Sequence, residues 1–283
     1  MEVAKWLFVV VFWLIFGSFW SVVLLRLWKI PTWKVLKWFL FGHSECPLCH
    51  HQLSAIDLIP LFSFLFQGGK CRYCHKKISF LYPFLEMGTV LIFFMTFLMF
   101  CPSWFENLFE TLFLSLIFRL CFLIAVYDFL YYELHLIATV GVFCLSLCLC
   151  FVKWGSFLDF FYGSLFFFWM YLFIYFFSYL FCFLKYREKK EGFWFWDVLF
   201  ALSIGGIFPL YLERSGLFQW FYVLLFFVIL CCLFWIFFYT MQRIFQKNDQ
   251  QNNNSMIPFL PAMFFSLLVF VFFGKSLLSR FYL

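Results

Sequence analysis

Two aspartates and four cysteines are the residues of this chain best placed to do chemistry. Asp197, in Gly192-Phe193-Trp194-Phe195-Trp196-Asp197-Val198-Leu199, stands where a basic cluster of Lys185, Arg187, Lys189 and Lys190 gives way to a long apolar run. Asp128, in Ala125-Val126-Tyr127-Asp128-Phe129-Leu130, occupies the same kind of edge. A bare charge in hydrocarbon costs roughly 3 kcal/mol even on lenient insertion scales, so each carboxylate must find water, a partner or a task. Held close, two carboxylates cannot both ionise. One then acts as a general base on water while the other polarises a carbonyl, which is the chemistry of peptide hydrolysis. Taken singly, each aspartate reads first as a snorkelling charge at a loop edge; only a shared depth and side favour the pair.

The cysteines fall in Cys46-Pro47-Leu48-Cys49 and Cys71-Arg72-Tyr73-Cys74, two C-x2-C units. Their spacing is close to that of structural zinc sites, in which four thiolates surround the ion tetrahedrally. The alternatives are a pair of disulfides or free thiols, both disfavoured in a reducing compartment. Four sulfurs leave no open position for substrate, so such a metal holds its segment folded and does not catalyse. His43, His50, His51 and His75 flank the knuckles and read as solvated side chains, not ligands. The remaining cysteines lie in apolar runs and behave as small hydrophobes.

The elements that must position these groups follow from composition. Hydrophobic residues make up 66% of the chain and charged residues 12%, against about half and a quarter in a soluble globule. Long apolar runs separated by short polar connections point to an all-α polytopic membrane protein, since barrel strands would alternate instead. About eight spans of near ~20 residues are expected: 5–28, 82–101, 108–127, 134–152, 157–184, 194–211, 217–240 and 257–278. The first run is too long for a signal peptide and reads as retained. Residues 29–81 hold the four cysteines and form a small cytosolic zinc-binding domain between the first two helices, leaving 82–283 as the main transmembrane domain. The 53 phenylalanines suggest an A+T-rich coding bias more than a functional demand.

Lys and Arg concentrate in the 29–80 segment, the 185–193 loop and, through Arg243 and Lys247, the 241–256 loop, while the alternate connections are poor in them. The positive-inside rule then puts those loops in the cytoplasm and both termini outside. This accounts for the net charge of +6 without nucleic acid. Asp128 falls where the third span exits and Asp197 where the sixth enters, at one face. Asp159 falls at the opposite face, and Asp57, beside Ile59-Pro60, reads as a turn former or substrate contact. Arg119, within the third span, should face protein or a wet cavity and take an anionic partner. The 241–256 stretch is low in complexity and reads as a flexible loop.

These residues resemble one family, the type IV prepilin peptidases, GxGD-type intramembrane aspartic proteases of the bacterial inner membrane. Phe16-Gly17-Ser18-Phe19 with Val22, Val23 and Arg26 is similar to the family's opening motif. Ser44-Glu45-Cys46-Pro47-Leu48-Cys49, Asp57-Leu58-Ile59-Pro60-Leu61, Gly69-Lys70-Cys71-Arg72-Tyr73-Cys74, Ile78-Ser79 and Tyr82-Pro83-Phe84-Leu85-Glu86 resemble its cytosolic zinc domain. Tyr127-Asp128 through Glu133-Leu134 resembles the first aspartate motif, and Ile257-Pro258-Phe259-Leu260-Pro261 the segment before the last span. The second motif departs: Trp194 and Trp196 stand at the glycines of G-x-G-D, and Leu199 at a lysine. His135 replaces a proline and Leu260 a glycine. Tryptophan at both 194 and 196 obstructs the close approach that glycine permits. Trp13 also sits at an expected glycine. One hypothesis covers all three: a lineage that reads UGA as glycine, translated with UGA as tryptophan. UGG codons at 194 and 196 would rule it out.

The resemblance implies a membrane aspartic endopeptidase with Asp128 and Asp197 catalytic. It further implies structural Zn2+ on Cys46, Cys49, Cys71 and Cys74, and an active site facing the cytoplasm from a multi-pass inner-membrane protein. Its substrates would be prepilins or pseudopilins, cut after a basic leader. A further implication is S-adenosylmethionine-dependent N-methylation of the new amino terminus, to which Glu86 could contribute if it does not simply pair with a lysine. The alternative is a catalytically impaired homologue serving as a membrane scaffold in pilus or secretion assembly. A transporter would instead place polar residues at mid-membrane in symmetry-related halves.

Overall fold

The computed structural model describes residues 14–15, 43–46, 48–54, 56–100, 108–131, 136–152, 157–186, 195–211, 226–237, 240 and 259–281. It divides into two compact units, Met1–Leu98 and Met99–Leu283. Among the described residues, regular structure in both is helical, and the first unit adds isolated β-bridges.

The first unit is built from two loops of the same design. In one, Cys46 accepts from the His50 N–H at 2.9 Å and donates its own to the His51 carbonyl at 3.0 Å, with Glu45 and Gln52 bridging below. In the other, Cys71 accepts from the His75 N–H at 2.9 Å and donates to the Lys76 carbonyl at 2.9 Å, above a Lys70–Lys77 bridge. His50 and His75, each one past its C-x2-C unit, both take a left-handed φ of 56°. The two knuckles thus repeat one backbone geometry within this unit.

Between them run a 3-10 turn, Ile56–Leu58, and a short helix α1, Phe62–Phe66. Leu61 joins these at φ 61° and ψ −49°, the centre of a γ-turn closed by Phe62 N–H on the Pro60 carbonyl at 2.6 Å. A side chain with a Cβ is strained there and must be held by its surroundings. The hold comes from helix α2, Leu81–Phe100. The Glu86 carboxylate, 7% exposed, accepts the Leu61 N–H at 2.8 Å.

Among the described residues, the second unit contains α3 Leu108–Tyr131, α4 Leu136–Val152, α5 Phe157–Tyr186, α6 Phe195–Gly205, α7 Phe208–Tyr211, α8 Phe226–Phe237 and α9 Leu260–Phe281. Helix α3 packs on α4 and α9, and α6 packs on α4 and α5. The α5–α6 crossing brings the two backbones close together. A Cβ at Gly163 would stand 2.7 Å from the Gly205 carbonyl oxygen, and one at Gly205 would stand 2.8 Å from the Gly163 oxygen. Small residues let helix backbones meet where hydrocarbon offers no hydrophobic drive. Ser146 of α4 donates to its own helix at Val142 (2.8 Å) and across to the Ser203 carbonyl of α6 at 3.1 Å. Phe208 packs in the core against Phe167, Phe227 and Phe270 at 4.4, 5.1 and 4.6 Å, and Phe167 meets Phe227 at 5.6 Å.

Among the described residues, three helices are long and apolar enough to cross a membrane: Leu81–Leu98, Phe109–Tyr131 and Phe157–Phe177. Shorter apolar helices lie at Leu136–Val152, Phe226–Phe237 and Leu260–Val271. The expected span 194–211 is not one helix. It breaks after Gly205 into a turn and resumes at Phe208, because Pro209 has no N–H to give the preceding turn and Ile207 instead closes a tight bond to Ile204 at 3.0 Å. The first expected span, apart from the helical pair Leu14–Ile15, and the 241–256 loop lie outside the described residues.

Candidate metal centre and buried carboxylates

The two knuckles bring Cys46, Cys49, Cys71 and Cys74 together with all four sulfurs within 4.8 Å of one another. Cys46 Sγ and Cys74 Sγ are 4.0 Å apart, too far for a disulfide. A tetrahedral ion with sulfur at about 2.3 Å would set its ligands ~3.8 Å apart, so the donor set fits zinc. Burial raises the Cys46 thiol, but the Leu48 and Cys49 amides and neighbouring thiols outweigh it and draw it down to about 7. At Cys49 the His51 backbone donor lowers the thiol, yet lost hydration and the adjoining sulfurs of Cys46 and Cys74 push it up to about 11. This is the behaviour of sulfurs crowded too closely to carry charge together, which a divalent cation relieves. The four histidines are all exposed, as expected of solvated side chains. His51 lays its ring on Tyr73, centroids 3.7 Å apart, and so ties one knuckle to the other.

Asp57 is a fastening point of this unit. Its carboxylate accepts from the Ser54 amide (3.0 Å) and hydroxyl (2.7 Å), from Gln67 Nε2 (2.9 Å) and from the Tyr73 hydroxyl (3.2 Å). Partial burial pushes its pKa up, but these donors and the Arg72 charge prevail and hold it below the ordinary carboxylate value. The turn-forming reading of Asp57 thus describes its geometry. Beside the knuckles lies a cavity of about 360 Å³ whose lining includes Asp57, Gln67, Lys77, Tyr82 and Glu86. Glu86 meets a backbone amide there, a contact that no motif announced. The signal that could have found it is the unusual neighbourhood of Pro60 and Leu61.

In the second unit, Asp128 lies near the end of α3 and is 8% exposed; Asp197 lies in the first turn of α6 and is 4% exposed. Asp128 accepts the Leu260 N–H at 3.3 Å. The first amides of a helix lack partners within it, so the start of α9 is a natural place to satisfy a carboxylate. Phe259, the preceding residue, sets its ring 6.2 Å from that of Tyr171 on α5. Tyr171 is fully buried, bonds through its hydroxyl to Cys231 at 3.4 Å and lies within electrostatic reach of Asp197. Arg119 is 2% exposed, turned into protein as the cost of a bare charge requires. Asp159 lies in the first turn of α5. Trp194, Glu133, His135 and Pro258 lie outside the described residues.

Residues 11–100 match the family model described as the bacterial Peptidase A24 N-terminal domain. The chain is similar to the prepilin leader peptidase/N-methyltransferase of Bacillus subtilis, 41% identical over 83 residues, or 29% of this chain and 31% of that relative. The protein of the same name from Vibrio cholerae is 41% identical over 86 residues, covering 29% and 33%. That of Pectobacterium carotovorum is 34% identical over 107 residues, covering 32% and 38%. The chain thus aligns with about a third of the length of these relatives, and the resemblance read from its motifs stands on that portion. No solved structure matches it.

Proposed function

We propose that this chain is a prepilin leader peptidase, a membrane aspartic endopeptidase that removes the basic leader of prepilins or pseudopilins. The observation that carries the reading is the match of residues 11–100 to the bacterial Peptidase A24 N-terminal domain. Asp128 and Asp197 are the proposed catalytic pair. Both are buried carboxylates at helix ends in a largely apolar unit, where retaining an acid without use is costly. The Leu260 amide orients Asp128, leaving its other oxygen for water or the scissile carbonyl. Eight spans set in a bacterial inner membrane, with both acids at the cytoplasmic face, complete the reading.

Cys46, Cys49, Cys71 and Cys74 would hold structural Zn2+, which supplies folding free energy to the first unit and takes no part in hydrolysis. The N-methyltransferase half of the relatives' name implies S-adenosylmethionine. The cavity beside the knuckles, with Asp57, Tyr82 and Glu86 in its wall, is the place we assign to it in the first unit. The test is processing of a model prepilin by the full chain in vesicles. Wild type should release the leader, and Asp128→Ala or Asp197→Ala should not. Cleavage that survives either substitution would defeat the assignment.

A further inference from the structure

The stretch Ile56–Phe66 carries more exposed apolar surface than a small metal-bound domain in water would keep. Ile56, Leu58, Ile59, Phe62, Leu65 and Phe66 are all exposed, Leu65 by 71% and Phe66 by 86%. Contiguous apolar patches of this kind mark a surface that meets something apolar. Three observations within the first unit identify it.

The first is depth. The Leu61 amide is fixed to Glu86 at 2.8 Å, and Glu86 lies past Leu81, where the apolar span Leu81–Leu98 begins. At 1.5 Å of rise per residue that is ~7 Å along the helix axis. The stretch therefore sits beside the first turns of the span and not beyond its end. The second is continuity. Phe84, Met87, Leu91 and Phe94 of the same helix are exposed as well, as a lipid-facing side must be. The third is charge. A groove of about 520 Å³ has Ile56, Ile59, Phe62 and Phe66 among its lining, with Lys70 and Arg72 also on its wall beside Asp57, whose carboxylate is taken up by Ser54, Gln67 and Tyr73. Apolar side chains with lysine and arginine beside them are the pattern that binds the boundary between acyl chains and anionic headgroups.

We propose that the 56–66 stretch seats in the interfacial layer of the bilayer, with Phe62, Leu65 and Phe66 among the acyl chains and Lys70 and Arg72 against anionic headgroups. The metal knuckles are then held at the membrane surface by their own loop as well as by helix α2, which follows them. This requires membrane insertion only and stands whether or not the chain cleaves prepilins.

The test uses the full chain in vesicles of phosphatidylglycerol or phosphatidylcholine, carrying a benzophenone-bearing phenylalanine at position 66 or, as control, at position 51. His51 is exposed and lies against Tyr73, outside the groove. Metal content of each preparation certifies the fold. After irradiation, lipid adducts at position 66 should exceed those at 51 by on the order of ten-fold. Lys70→Gln with Arg72→Gln should reduce the phosphatidylglycerol adduct and leave the phosphatidylcholine adduct unchanged. Equal lipid adducts at 66 and 51 would overturn the proposal, and so would a polypeptide adduct at 66 in place of lipid.

Discussion

The two units solve the problem of placing charge-bearing groups in opposite ways. In the first, the four sulfurs are delivered by short loops whose backbone bonds close within a few residues, from Cys46 to His51 and from Cys71 to Lys76. In the second, Asp128 and Asp197 ride on separate helices, and what brings either to its surroundings is packing: the Gly163–Gly205 crossing, the Ser146–Ser203 bond and the Leu260 amide. Each half of the metal site is thus shaped by local turn chemistry and needs only contacts such as His51–Tyr73 to meet the other, whereas a carboxylate site inherits every error in helix placement. The first should fail by losing its ion, and the second by small displacements that leave the fold standing.

That contrast can be broken most forcefully at the cysteines. Structural zinc contributes about 10 kcal/mol or more in small domains. Cys71→Ser should abolish bound zinc by elemental analysis and unfold the knuckles, while circular dichroism keeps most of its helical signal. Loss of the helices too would mean the units are not separable. Next in size is the carboxylate pair: Asp128→Asn or Asp197→Asn should reduce prepilin processing by on the order of 10³- to 10⁴-fold, with metal content unchanged. A smaller effect is expected at the helix crossing. Gly205→Val sets new atoms against the Gly163 carbonyl and Phe167 and should cost about 3 kcal/mol in thermal stability, lowering processing without touching zinc.

The mildest effect sharpens the picture of the knuckles. Asp57→Asn removes a charged acceptor from Ser54, Gln67 and Tyr73 and should cost about 2 kcal/mol, read as easier release of zinc to a chelator. Since folding holds this carboxyl below its ordinary value, its contribution is fully present above the unfolded-state pKa of about 4 and fades as pH falls through the folded one. The Asp57→Asn chain should accordingly lose less stability than wild type between neutral and acidic pH.

How much of this was legible in the sequence follows the same division. The knuckles were readable because ligand spacing within each C-x2-C unit is itself the geometry, and the four sulfurs converge as that spacing implies. The helices were readable from apolar run length, with ends close to those expected for Leu81–Phe100 and Leu136–Val152. The break at Gly205–Pro209 was missed because hydropathy does not register a proline inside an apolar run. The Leu61 turn and the grip of Glu86 on it were not legible either. Each depends on contact between residues distant in sequence, which periodicity and spacing do not encode.

The repeated design of the knuckles bears on how an ion would be captured. Because each loop closes on its own amides, with a left-handed histidine turning the chain back, a cation held there would take its four ligands from two copies of one turn. The protein would meet the tetrahedral demand of such an ion by using a single backbone design twice.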